Sequence, residues 1–117
     1  MAWKKAIELS LLQQKIRHTS VIDGHKILFI WHQGKVHAIQ SQCPHLKLPL
    51  IKGKITEECA IVCPFHKSEF DMNTGKANCW STWPPAIGPL LGKVSRPKDL
   101  KIYSTRVDEG TINVEIN

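Results

Sequence analysis

Residues 43–66 read CPHLKLPLIKGKITEECAIVCPFH and carry two compact clusters, Cys43-Pro44-His45 and Cys63-Pro64-Phe65-His66. Each cluster sets a thiol and an imidazole two or three residues apart, close enough to converge on one centre from a tight turn. Pro44 and Pro64 push the residue before each into an extended conformation and stiffen both turns. Two thiolates with two imidazoles suit either zinc or an iron-sulfur cluster. Zinc sites with these ligands pair Cys with Cys and His with His, on a hairpin and a helix. Here each loop supplies one of each, so each is built to reach both of two metal atoms. A 2Fe-2S centre with two cysteines on one iron and two histidines on the other makes that demand.

The rest of the chain sets limits on what can surround those loops. At 117 residues with 42% hydrophobic content it is one domain's worth, with a modest core. Sixteen Lys and Arg against ten Asp and Glu give a formal charge of +6, which favours an acidic partner surface or solubility. The basic residues are scattered and no recognition motif accompanies them, so nucleic acid is not the expected partner. The opening MAWKKAIELSLLQQK has two lysines before an apolar run, but Glu8 breaks it and no small-residue cleavage site follows. No stretch of about 18 uncharged apolar residues exists to span a membrane. The expectation is a soluble cytoplasmic protein, in whose reducing compartment four cysteines serve as ligands or thiols rather than a disulfide framework.

Strand signals dominate the pattern. Residues 18–40 place Asp23-Gly24 and Gln33-Gly34 between runs rich in Val, Ile, Phe and Trp, which predicts a meander of two hairpins. A third hairpin is predicted in SEFDMNTGKANCW, turning at Asn73 to Gly75, and a fourth joins KIYSTRV to TINVEI through Asp108 to Gly110. Helix is confined to a turn or two in ELSLLQQKI and a short start at RPKDL. Between Trp83 and Pro97 the residues Pro84, Pro85, Gly88, Pro89 and Gly92 predict a structured loop. The two Cys/His clusters therefore head two loops rising from an all-β scaffold.

In these features the chain resembles the Rieske iron-sulfur proteins, whose pattern is Cys-x-His, a spacer of roughly 15 to 20 residues, then Cys-x-x-His. The spacer here, Leu46 to Val62, is 17 residues. FDMNTG after the second loop, the Pro-rich loop and the closing hairpin extend the likeness over most of the chain. The resemblance implies a Rieske-type antiparallel β-sandwich, a single domain over residues 1–117 with a small cluster-binding subdomain of two loops at about 42–84. It implies one 2Fe-2S cluster per chain, with Cys43 and Cys63 on the inner iron and His45 and His66 on the outer one, where electrons enter and leave. Respiratory and photosynthetic members add a loop-to-loop disulfide. Its positions here are Leu48 and Phe65, which points to the low-potential, ferredoxin-like branch. Many members have Gly after the second histidine, where this chain has Lys67.

The function implied is a soluble one-electron carrier, with no catalytic turnover of its own, passing electrons from a reductase to an oxygenase or similar redox enzyme. An oxygenase also needs a mononuclear iron site of two His and one carboxylate, and no histidine follows His66. The alternatives are a small subunit of a nitrite-reductase-like complex and, from another class, a zinc-binding interaction module. Lys47, Lys52, Lys54 and Lys67 would make a basic rim for an acidic docking partner. In high-potential members a serine and a tyrosine donate hydrogen bonds to the cluster's sulfurs from positions held here by Ser68 and Phe70. With half of that pair present, the expected potential lies in the lower half of the span of about −150 to +300 mV. Cys59 is expected to be a buried small hydrophobe, and Cys79 a thiol with no basic neighbour to activate it. His18, His25, His32 and His37 are expected to pack rather than ligate. Trp80 and Trp83, flanking the Pro-rich loop, are expected in core or loop packing.

Overall fold

Wherever two apolar runs are separated by a pair of residues that accept positive φ, the chain reverses. The computed structural model describes residues 2–43, 49–64, 69–79 and 99–116. In chain order the elements are β1 (Ala2–Glu8), α1 (Leu9–Lys15), β2 (Arg17–Ile22), β3 (His25–His32), β4 (Lys35–Gln40) and β5 (Lys54–Ile55). There follow β6 (Ala60–Val62), β7 (Glu69–Asp71), β8 (Ala77–Cys79), β9 (Ile102–Tyr103), β10 (Thr105–Asp108) and β11 (Thr111–Ile116). They fall into two units, Met1–Ser41 with Ile102–Asn117, and Gln42–Lys101.

The first unit holds two antiparallel sheets, β1-β11-β10 and β2-β3-β4-β9. Two-residue turns set its hairpins: Ile22 pairs with His25, His32 with Lys35, and Asp108 with Thr111. Both central residues have positive φ in each turn: Asp23 and Gly24 at 49° and 82°, Gln33 and Gly34 at 51° and 75°, Glu109 and Gly110 at 50° and 78°. Such turns match the twist of the flanking strands. Alternate residues then meet between the sheets. Ile112, Val114 and Ile116 of β11 share a buried core with Ile27 and Phe29 of β3, Ala38 of β4, Tyr103 of β9, Ile7 of β1 and Leu12 of α1. This is the expected β-sandwich, and each large apolar side chain fully buried in it contributes about 1.5–3 kcal/mol.

Two readings of the sequence are refined here. KIYSTRV is not one strand: Ile102–Tyr103 pairs with β4 in one sheet, whereas Thr105–Asp108 pairs with β11 in the other. Ser104 is the corner, and its carbonyl accepts from the Glu115 N–H at 2.9 Å; strands of packed sheets change sheet at such bends. The opening stretch also supplies a full strand, β1, which the apolar pattern hides because the register shifts between Lys5 and Ile7. A bulge of that kind interrupts the period-two signal. The helix in ELSLLQQKI is present as α1. It ends at Ile16, which sits at φ 70° while its N–H bonds the Leu12 carbonyl at 2.7 Å.

In the second unit the described strands form one antiparallel sheet, β5-β6-β7-β8. The hairpin expected around Asn73 to Gly75 is β7–β8. Asp71 Oδ1 accepts from the N–H groups of Asn73 and Thr74 at 2.7 and 3.2 Å, and Gly75 takes φ 80°, the turn chemistry that Asp favours. The Leu100 N–H donates to the Gly75 carbonyl at 2.7 Å and ties the segment after the Pro-rich loop to this hairpin. The Pro-rich loop itself, with Trp80 and Trp83, lies outside the described residues, as does most of RPKDL, whose Asp99 and Leu100 are not helical.

Candidate metal centre

The two expected loops leave from well-anchored backbone in the second unit. After β4 the chain forms an isolated antiparallel bridge between Gln42 and Pro49 that closes the base of the first loop. Cys43 stands directly inside that bridge and is fully buried. Beyond it, buried Leu50 anchors a turn in which the Gly53 N–H donates to the Leu50 carbonyl at 2.8 Å. The second loop leaves from β6, a central strand bonded to β5 on one side and β7 on the other. Cys63 is the first residue after β6 and is fully buried too. His45 and His66 lie outside the described residues, as do Lys47, Lys67 and Ser68.

Gly53 is a determinant that the motif reading passed over. A Cβ at this position would sit 2.5 Å from the Val62 carbonyl oxygen and 3.0 Å from both the Leu50 carbonyl oxygen and Ile61 Cγ1. Only a residue without a side chain lets the Leu50–Gly53 turn close onto the strand that delivers Cys63. The signal in the sequence was a glycine between two short apolar runs, in LIKGKIT, where close backbone approach is one of the reasons for a strand-edge glycine.

Charge is divided along the β5–β6 hairpin. Lys52 and Lys54 are exposed at the end where Lys54 pairs with Val62, beside Cys63, while exposed Glu57 and Glu58 occupy the turn at the other end. That turn is closed by Thr56, whose N–H donates to the Ala60 carbonyl at 2.8 Å and whose Oγ1 accepts from the Ala60 N–H at 3.2 Å. Cys59 in the same turn is buried at φ 63°, and its carbonyl accepts from the Met72 N–H at 2.9 Å. It packs as a small hydrophobe, as expected. Phe70 is fully buried on β7, opposite Ile61. Cys79 ends β8, opposite Glu69.

The histidines of the meander pack in the first unit. His25 Nδ1 is 3.2 Å from the Tyr103 hydroxyl with the rings edge to face, and burial pushes the Tyr103 phenol up from its ordinary value. His18 lies 6.5 Å from the Phe29 ring, and burial, then the Lys15 charge, hold its pKa below the ordinary 6.5. The Lys15 ammonium is 3.3 Å from His18 Nδ1, an arrangement that a neutral ring accepts. His32 and His37 have ring centroids 6.4 Å apart.

Among the described residues no group of three or more His, Cys, Asp or Glu gathers as a metal site. Two fully buried thiols in one unit fit the cysteine half of a 2Fe-2S ligand set, since such clusters are held by thiolates away from water. Cys43, Cys59 and Cys63 are in no disulfide.

Comparison with known proteins agrees with that donor chemistry. The family model for the Rieske [2Fe-2S] domain matches residues 2–103. The ferredoxin component of the alkene monooxygenase system of Xanthobacter autotrophicus is 33% identical over 86 residues, covering 67% of this chain and 70% of the relative. The 3-phenylpropionate/cinnamic acid dioxygenase ferredoxin subunit of Escherichia coli is 33% identical over 96 residues, covering 81% of this chain and 77% of the relative. The ferredoxin of carbazole 1,9a-dioxygenase from Nocardioides aromaticivorans superposes with a TM-score of 0.75 over 97% of both chains, at 23% identity, and so shares the fold. Two buried loop cysteines in an all-β chain, a family match from β1 to β9 and relatives that are ferredoxins have one explanation: the chain belongs to the Rieske [2Fe-2S] family and is one of its electron carriers.

Proposed function

We propose that Cys43, His45, Cys63 and His66 hold the cluster, the two thiolates on one iron and the two imidazoles on the other. The unit Gln42–Lys101 is then the cluster-binding subdomain of a single Rieske domain, with the ligating loops inside about 42–84. The observation that carries this reading is the complete burial of Cys43 and Cys63, each followed by a proline and each leaving a hydrogen-bonded bridge or strand. When bound, the cluster supplies reversible storage of one electron. The chain's own residues keep water from the sulfurs and hold the loop bases fixed, so that little has to move as charge changes. The protein takes electrons from a reductase and gives them to an oxygenase or similar redox enzyme in the cytoplasm. Two of its ferredoxin relatives serve a monooxygenase and a dioxygenase system by name, which supports that placement.

Lys52 and Lys54 are the described part of the basic rim, and they favour a partner with an acidic docking face. The assignment is tested by visible absorption and electron paramagnetic resonance of the purified protein, with His45→Cys and His66→Cys variants. A spectrum of mixed nitrogen and sulfur ligation that turns toward an all-thiolate one in either variant is expected. A colourless protein that retains zinc defeats the reading. Electron transfer to the partner should slow as ionic strength rises past roughly 0.1 M, where the screening length falls to about 10 Å.

A further inference from the structure

The second unit contains a cavity whose described lining includes neither Cys43 nor Cys63. Its walls, among the described residues, are Pro49, Ile51, Lys52 and Pro64, and it is an open hollow of about 300 Å³. Pro64 directly follows Cys63, and Pro49 is bridged to Gln42, the neighbour of Cys43. The cavity thus opens where both cysteine loops begin. Its volume lies at the bottom of the range of about 300–1,000 Å³ for small-molecule pockets. That is room for one large apolar side chain and too little to bury a whole dinucleotide. Two walls are prolines, whose fixed φ keeps them in place, and the close seat of Gly53 on Val62 fixes the turn that carries Ile51 and Lys52. Ile51 is 37% exposed at the cavity, and Lys52 brings a cation to its edge.

We propose that this cavity anchors the protein redox partner: it receives a leucine, methionine or phenylalanine side chain from the partner, flanked by a carboxylate that pairs with Lys52. The proposal rests on the reading of Cys43 and Cys63 as cluster ligands, which makes the adjoining surface the place a partner must approach. Binding energy at protein interfaces is concentrated in a few apolar anchors that fill pockets, ringed by polar contacts. Charge selects the occupant. A second copy of this chain carries the same net +6 and is repelled overall, whereas an acidic segment meets complementary charge.

The test uses the cluster-loaded protein and an acetylated acidic peptide with one photoactivatable leucine between aspartates, its cross-links mapped by mass spectrometry. Labelling should concentrate on Ile51 and Lys52, and should be competed by the same peptide with leucine at the centre but not with glycine. Ile51→Glu should reduce labelling about fivefold or more, while Ile51→Val stays within about twofold, both keeping the wild-type visible spectrum. Labelling spread evenly over the lysines, or unchanged in Ile51→Glu, overturns the pocket and leaves the electron-carrier reading standing. Self-association in sedimentation that Ile51→Glu abolishes also overturns it, by giving the cavity to a second copy. Absence of a cluster spectrum in the wild-type protein is the separate failure, that of the carrier reading.

Discussion

The two β regions of this chain are built from the same pairing rules with different resources. In the sheet β2-β3-β4-β9 the first three strands run six to eight residues, and their alternate side chains feed a shared core. In β5-β6-β7-β8 the strands are two or three residues long. Ladders this short give few hydrogen bonds, so the second sheet depends also on what its loops do: an Asx turn at Asp71, a bridge at Gln42–Pro49 and a glycine seated on a neighbouring carbonyl. A region assembled from such devices is rigid while all are in place and gives way when one fails.

The widest separation between the regions should follow removal of iron. Chelation, or Cys63→Ser, is expected to raise hydrogen-exchange rates of amides in β5 to β8 by at least about tenfold, while amides in β2, β3 and β4 keep their protection. If both regions lose protection together, the contrast is wrong and the chain unfolds as one.

Glycine substitutions sharpen the same contrast. Gly53→Ala places a methyl 2.5 Å from a backbone oxygen and is expected to cost about 2–3 kcal/mol by overpacking, with faster loss of visible absorbance on standing. Gly24→Ala meets no atom within 4 Å and suffers only its φ of +82°, a cost of about 1 kcal/mol, with the cluster unaffected. Denaturation midpoints followed in parallel with absorbance separate the two; equal effects on the cluster would remove the special role of Gly53.

The first unit also has room for improvement. Ile16 is a β-branched, 44% exposed residue held at φ 70° after α1. Ile16→Gly should raise stability by about 1 kcal/mol, since glycine takes that conformation freely; a lower melting temperature would show that the isoleucine side chain matters more than its strain.

The smallest effect concerns pH. Burial and Lys15 depress the His18 pKa below 6.5, so between the folded and unfolded values the unfolded chain binds more protons. Stability is full above about pH 6.5 and falls as pH drops toward the folded value. His18→Gln should flatten that part of the curve, and an unchanged slope would assign it to other groups.

Much of this was legible in the sequence, for local reasons. Asp-Gly and Gln-Gly pairs between apolar runs specify their hairpins within four residues, and Cys-Pro at two places marks the loops through the stiffness of one ring. What escaped depends on partners distant in sequence. Ser104 divides a run that looks continuous because Tyr103 and Thr105 answer to different sheets. β1 is concealed by its bulge, and its partner is the last strand. Gly53 matters through the carbonyl of Val62, which no local pattern foretells.

The pairing of β1 with β11, with Ala2 opposite Ile116, sets an order in time. A chain emerging from the ribosome can form the β2–β3–β4 hairpins as soon as they are free, because each needs only its neighbour. The sheet β1-β11-β10 must wait until Thr111–Ile116 has been made, and its closure bears the entropy of the loop from Leu9 to Gly110. During that interval β1 is an unpaired edge, and Lys4 and Lys5 give it the charges that discourage pairing with a stranger. Lys4 and Lys5 thus charge an edge that is covered only once β11 is made.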